Sequence, residues 1–168
     1  MLRQVKGEQM SNAATQPIGG LGLLLDRVAS SLLKEFDEAI EPWELRNLHL
    51  GILSTIERYG PMPQIRIGEF LGIERQTMAN LIDDLEAREL VERQRVATDR
   101  RVWAIAITKR GQRQRKEASA AGATKGKAIF SRLTQHEAVM LGELLTKLAT
   151  GGRYPNLFVA PDTDRPGR

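Results

Sequence analysis

"ERQTMANLIDDLEARELVERQRVATDRRVWAIAIT", residues 74–108, decides the fold. Its first half has helical spacing. Met78, Leu81, Ile82 and Leu85 recur at i, i+3, i+4 and i+7, which predicts a single apolar stripe. Arg75, Gln76, Thr77 and Asn80 occupy the other face of the first turns, and Glu74 suits the positive end of the helix. The periodicity then drops to two. "LVERQRV" and "VWAIAI" predict antiparallel strands joined through "ATDRR". Trp103, Ile105 and Ile107 are expected to face the core, with Val102, Ala104 and Ala106 on the other side. Arg100 and Arg101 fall at the hairpin tip, and Asp99 is placed to orient one of them.

Working outward, more helices flank this stretch. Leu21, Leu25, Val28, Leu32, Phe36 and Ile40 predict a long amphipathic helix from Ile18, broken at Pro42. Asn47 is expected to cap a second helix carrying Leu50, Leu53 and Ile56, which ends at "YGP". A short helix follows Pro63 and turns at Gly72. Downstream, Thr108 can cap a long helix, and "TQHE" is a capping box of Thr134 with Glu137. It opens a last helix with Val139, Leu141, Leu144, Leu145 and Leu148. Residues 1–17 are expected to be a disordered leader and 151–168 a flexible tail.

The fold class is therefore mainly α with a small β-hairpin wing, a winged helix-turn-helix, with a helical dimerisation region drawn from both termini. Residues 18–150 form the unit. Its 47–108 segment is the DNA-binding region, and 18–46 with 109–150 the dimerisation region. A helix with the stripe from Ile18 to Ile40 and one with Val139 to Leu148 have too much apolar surface to bury against a small three-helix unit. Pairing across a two-fold axis through Ile18, Leu21, Leu25, Val139, Leu141, Leu144, Leu145 and Leu148 is the expected solution.

Composition removes several functions. The chain has no cysteine, so disulfides and thiolate metal sites are excluded, and two histidines make a His-rich metal site improbable. No metal and no cofactor are expected. No catalytic constellation or phosphate loop can be assembled, so an enzyme is not expected either. No apolar run nears the length of a membrane span, and a cytoplasmic protein with no membrane partner is expected. The formal charge is +4, yet residues 93–116 hold nine basic residues against Asp99, leaving +8 there and −4 elsewhere. Such a field points to a polyanionic partner.

Double-stranded DNA fits best. A recognition helix enters the major groove, where its first turns reach base edges: Arg75 suits guanine, and Gln76 and Asn80 suit adenine. Thr77 lies on the same turn, while Arg95, Arg100 and Arg101 serve the wing, clamping phosphates or entering the minor groove. The rival is a winged-helix module for protein contact or nonspecific DNA packaging, which would need no base readers.

These segments also resemble the MarR family of bacterial transcriptional regulators. "GIERQTMANLIDDLEARELVER", "TDRRVWAIAIT" running into "KRG", and "LTQHEAVMLGELLTKLA" carry the resemblance, which covers nearly all of residues 18–150. It implies a homodimer with interlocked first and last helices, a pseudo-palindromic operator, and repression relieved by a small, often aromatic or phenolic, effector. Trp43, Arg46 and His49 fall near the cleft where the family binds such ligands. Two positions depart from the family pattern. Glu89 replaces a frequent glycine, at a cost of roughly 1 kcal/mol if the turn is left-handed. Asn80 stands where arginine is frequent, which alters the operator expected.

Overall fold

The computed structural model describes residues 18–95 and 103–151. Helix α1, Ile18–Ile40, stops where Pro42 enters a short 3-10 turn, Glu41–Trp43. Glu44 follows in the left-handed region (φ 54°), and its N–H donates to the Glu41 carbonyl at 2.6 Å. Helices α2 (Asn47–Tyr59), α3 (Gln64–Leu71) and α4 (Arg75–Ala87) come next. Gly60 and Gly72, at φ 84° and 66°, end the first two. The described residues form two compact units divided between Glu35 and Phe36, so α1 begins in one and ends in the other.

The start of α2 corrects one expectation. Asn47 is the first residue of the helix rather than its cap. The Asp37 carboxylate, ten residues upstream, takes the Asn47 N–H at 2.6 Å, and His49 Nδ1 takes the Arg46 N–H at 3.2 Å. The Asn47 side chain turns to the Leu48 N–H instead. A carboxylate is the stronger acceptor at a positive helix end, and the close of α1 delivers it there.

The hairpin pairs β1, Val91–Arg95, antiparallel to β2, Trp103–Ile107, in the register Val91 to Ile107, Arg93 to Ile105 and Arg95 to Trp103. Ile105 also bridges Met62 through both backbone bonds, so β2 has a neighbour on either side. The core gathers Leu50, Ile52, Leu53 and Ile56 from α2, Ile67 from α3, Met78, Ile82 and Leu85 from α4, and Leu90, Val91 and Ile105 from the hairpin. Each buried aliphatic side chain of this kind contributes roughly 1.5–3 kcal/mol.

Here a second correction arises. Trp103 shares a strand face with Ile105 but is 46% exposed, whereas Ala104 and Ala106 on the opposite face are buried. The face assignment holds while the depth does not, because Trp103 begins its strand, just outside the buried stretch 104–106. The alanines are short and stand opposite the longer Gln94 and Glu92.

Thr108 caps α5, Lys109–Phe130, by accepting the Gly111 N–H at 3.0 Å. Glu89 is left-handed (φ 58°), and the Thr108 hydroxyl donates to its carbonyl at 2.7 Å. Thr134 and Glu137 form the capping box of α6, Gln135–Thr150. In the single chain, the α6 side chains Val139, Leu141, Leu144, Leu145 and Leu148 are exposed, as are Leu21 and Leu25 on α1. The Ile18 side chain lies outside the described residues.

Gly111 seals the joint between hairpin and α5. A Cβ there would lie 2.1 Å from the Leu90 carbonyl oxygen and 2.9 Å from Ile107 Cγ1. The nearer atom is backbone and cannot rotate away. Gly111→Ala is therefore expected to destabilise the fold by about 1–3 kcal/mol in urea unfolding. An unchanged midpoint would mean the hairpin and α5 are not locked at this point.

Candidate nucleic-acid interface

Because α4 buries Met78, Ile82 and Leu85, its remaining side is turned out by geometry. Arg75, Gln76, Thr77 and Asn80 are all exposed on its first turns. The Gln76 amide donates to Asn80 Oδ1 at 3.3 Å, one turn apart, so the two amides form a connected polar stripe. Asp83 continues that stripe, and its partner comes from the wing. Arg93 of β1 bonds Asp83 Oδ1 at 2.6 Å and Glu86 Oε2 at 2.8 Å.

These pairs revise the expected charge field. Of the nine basic residues in 93–116, Arg93 is tied to Asp83 and Glu86, Arg110 to Glu89, and Arg115 to Glu57. A third of the cationic run thus ties the wing to α4, and α5 to the turn after α4 and to α2. The acids of α4 act within the molecule too: Asp84 faces both Arg88, at 3.3 Å, and His49, at 3.4 Å. Arg95 stacks on Trp103, its guanidinium carbon 3.9 Å from the ring centroid. Arg100, Arg101 and Asp99 lie outside the described residues.

The residues expected near an effector meet in a different arrangement. Arg46 is exposed, while His49 is buried and only 4% accessible. Trp43 is half-buried, its indole N–H donating to Glu117 on α5 at 3.0 Å. Its carbonyl and that of Glu44 are both held by Arg88, at 2.9 and 2.7 Å. Sequence reasoning missed Arg88. The i, i+4 spacing of Asp84 and Arg88 was readable, but the two carbonyls lie more than forty residues away in the chain. A separate groove of about 420 Å³ runs between α3 and α4, lined by Ile65, Gly68, Glu69, Ile73, Arg75 and Met78 among others. The three expected effector residues do not line it. Among the described residues, no cluster of three or more His, Asp or Glu could hold a metal ion, and no helix is long and apolar enough to cross a membrane.

Residues 45–103 match the model of the MarR family. A MarR-family transcriptional regulator from Rhodococcus sp. RHA1 is 26% identical and superimposes with a TM-score of 0.71, covering 82% of this chain and 99% of its own. CouR from Rhodococcus jostii RHA1, solved with p-coumaroyl-CoA, is 27% identical, with a TM-score of 0.68 over 77% of this chain and 90% of that one. The transcriptional repressor CouR bound to a 23-mer DNA duplex gives 25% identity and a TM-score of 0.72, over 77% and 92%. Residues 45–103 are thus similar to the MarR family, and the likeness of fold reaches well beyond them.

His49 generates a pH test. Its Nδ1 accepts the Arg46 N–H, which leaves the neutral ring's hydrogen on Nε2, toward Asp84. Burial lowers its pKa first of all. Asp84 opposes that shift, Arg88 and Arg46 reinforce it, and Asp37 opposes it. Below about pH 6.5 the unfolded chain takes up a proton that the folded ring resists, so stability present above that pH is lost as pH falls through the folded value. Urea midpoints measured from about pH 8 to about pH 5 should decline on the acid side, and His49→Gln should flatten the decline. An identical slope in the variant would assign the acid sensitivity to other groups.

Proposed function

We infer that this chain, similar to the MarR family over residues 45–103, is a sequence-specific transcriptional regulator that acts in the cytoplasm. We read it as a homodimeric repressor of a nearby gene, released from a pseudo-palindromic operator by a small aromatic or phenolic ligand. One observation carries the reading. A helix buried along one side leaves Arg75, Gln76, Thr77 and Asn80 exposed on its first turns, beside a hairpin rooted in the same core. That is the chemistry of base readout: a guanidinium for guanine and carboxamides for adenine.

The wing residues Arg95, Arg100 and Arg101 would supply sequence-independent contacts, with Asp99 orienting the tip. The exposed apolar faces of α1 and α6 support pairing with a second copy, because a two-fold axis can bury both at once. Two recognition helices then meet half-sites one helical turn apart, about 34–36 Å. For the effector, Trp43, Arg46 and His49 remain the candidates. The elbow that holds them also receives Arg88 from the recognition helix, so a ligand there could act on α4. CouR, a similar protein, has been solved with p-coumaroyl-CoA and with a 23-mer DNA duplex.

A duplex enriched from a random-sequence library by the full-length protein supplies the operator for testing. Asn80→Ala should weaken binding to that duplex by about 1–3 kcal/mol while barely changing binding to random DNA. Equal losses on both would mean that α4 does not read bases. For the dimer, Leu144→Asp combined with Leu148→Asp should halve the mass seen in light scattering and remove operator binding. If the doubly charged protein still ran as a dimer, α6 would lie outside the interface.

A further inference from the structure

Arg88, which caps the C-terminal end of α4, reaches out of its own helix. Its Nη1 donates to the Glu44 carbonyl at 2.7 Å and its Nη2 to the Trp43 carbonyl at 2.9 Å, two successive carbonyls of the elbow between α1 and α2. Nη1 also lies 3.3 Å from the Asp84 carboxylate one turn back. A planar fork bonded to two carbonyls fixes direction as well as distance. The elbow it grips is itself held. Glu44 sits in the left-handed region with its N–H on the Glu41 carbonyl, and the Trp43 indole N–H bonds Glu117 on α5 at 3.0 Å. All of these residues belong to the compact unit that begins at Phe36.

The C-terminal end of the recognition helix is thus hung from a turn that α5 braces. The stripe Met78, Ile82 and Leu85 sets the roll of α4, but apolar packing is non-directional and leaves the tilt to directional bonds at the helix end. Asn80 precedes Arg88 by about 12 Å along the axis, so a displacement of the tail is carried to the reading turns.

We propose that Arg88 is a positioning residue whose hold on the Trp43 and Glu44 carbonyls sets the distance between the two recognition helices of the dimer, and so decides which half-site spacing the protein accepts. The proposal rests on the homodimeric, operator-binding reading above. Adding one base pair between half-sites moves one of them by about 3.4 Å and turns it by about 36°. A recognition helix pinned at its tail cannot follow that change, whereas one held by apolar contacts alone can swing toward it. The guanidinium is engaged within the protein, so it acts on separation rather than on base identity.

The test uses the full-length protein and two derivatives of the library-selected duplex, one with a base pair inserted midway between the half-sites and one with a base pair removed. The wild-type protein should bind both at least about tenfold more weakly than the selected duplex. Arg88→Met should bind the selected duplex more weakly and the altered ones almost as before, bringing the ratio below about threefold. Arg88→Lys keeps the cation beside Asp84 but lacks the rigid fork, and its ratio should fall as well. A smaller folded fraction would lower every affinity by the same factor and leave the ratio unmoved, so the ratio reports positioning alone. Wild-type ratios in both variants would overturn the proposal. A wild-type ratio in Arg88→Lys alone would also overturn it, because charge rather than the two-carbonyl hold would then place the helix. If the wild-type protein enriched no duplex, or one whose spacing could be altered without loss, the operator reading would fail first and carry this one with it. A spacing-sensitive wild type with equally sensitive variants would sink the Arg88 role alone.

Discussion

A thirteen-residue helix that must bury Met78, Ile82 and Leu85 cannot hide its other side. The rest of the molecule follows from that constraint. The stripe fixes the rotation of α4 about its own axis to within the spacing of its side chains. Gln76, Asn80 and Asp83 are thereby sent outward along one line. Helix α2 and the hairpin supply the apolar surface that makes this rotation unique. Turning α4 by a quarter in one sense would put Asp84 into the core and take Ile82 out of it, and in the other sense it would bring in Glu86. The reading surface is thus specified by what lies beneath it.

Charge then does two kinds of work. Exposed ion pairs typically contribute little to stability, so Arg93 and Arg110 are better understood as fixing geometry than as holding the fold together, and Arg115 makes a partly buried pair with Glu57. Each joins elements distant in sequence: β1 to α4, α5 to the turn after α4, and α5 to α2. The residual cations carry whatever electrostatic attraction the protein has for an anion. A basic stretch in a sequence therefore overstates the field that the folded molecule presents.

Local signals were legible in the sequence and non-local ones were not. Thr108, Thr134 with Glu137, Pro42, Gly60 and Gly72 act within one turn of the chain, and each stands where its short-range chemistry put it. The left-handed Glu89 was suggested only by the resemblance, whose frequent glycine at that place left open a left-handed turn or a different helix exit. Asn47 lost its capping role because Asp37, from another helix, reached the site. No spacing rule reveals such a competitor. The alternation of β2 correctly placed Trp103, Ile105 and Ile107 on one face, but depth depends on where the underlying helices stop. In the candidate site, the exposure of Arg75, Gln76, Thr77 and Asn80 followed from periodicity alone. The Arg88 latch, the Arg93 pairs and the Arg95–Trp103 stack required the folded chain.

The bridge between Met62 and Ile105 bears on how the protein acquires this shape. A two-stranded hairpin is marginal by itself in water, and β2 obtains its second neighbour from a residue more than forty positions upstream. Closing so large a loop costs entropy before any contact repays it. The hairpin is thus expected to order late, once α2 and α3 have brought Met62 into place. It should melt together with those helices in a single transition. A fragment containing only residues 88–108 would be left without the partner that holds its inner strand.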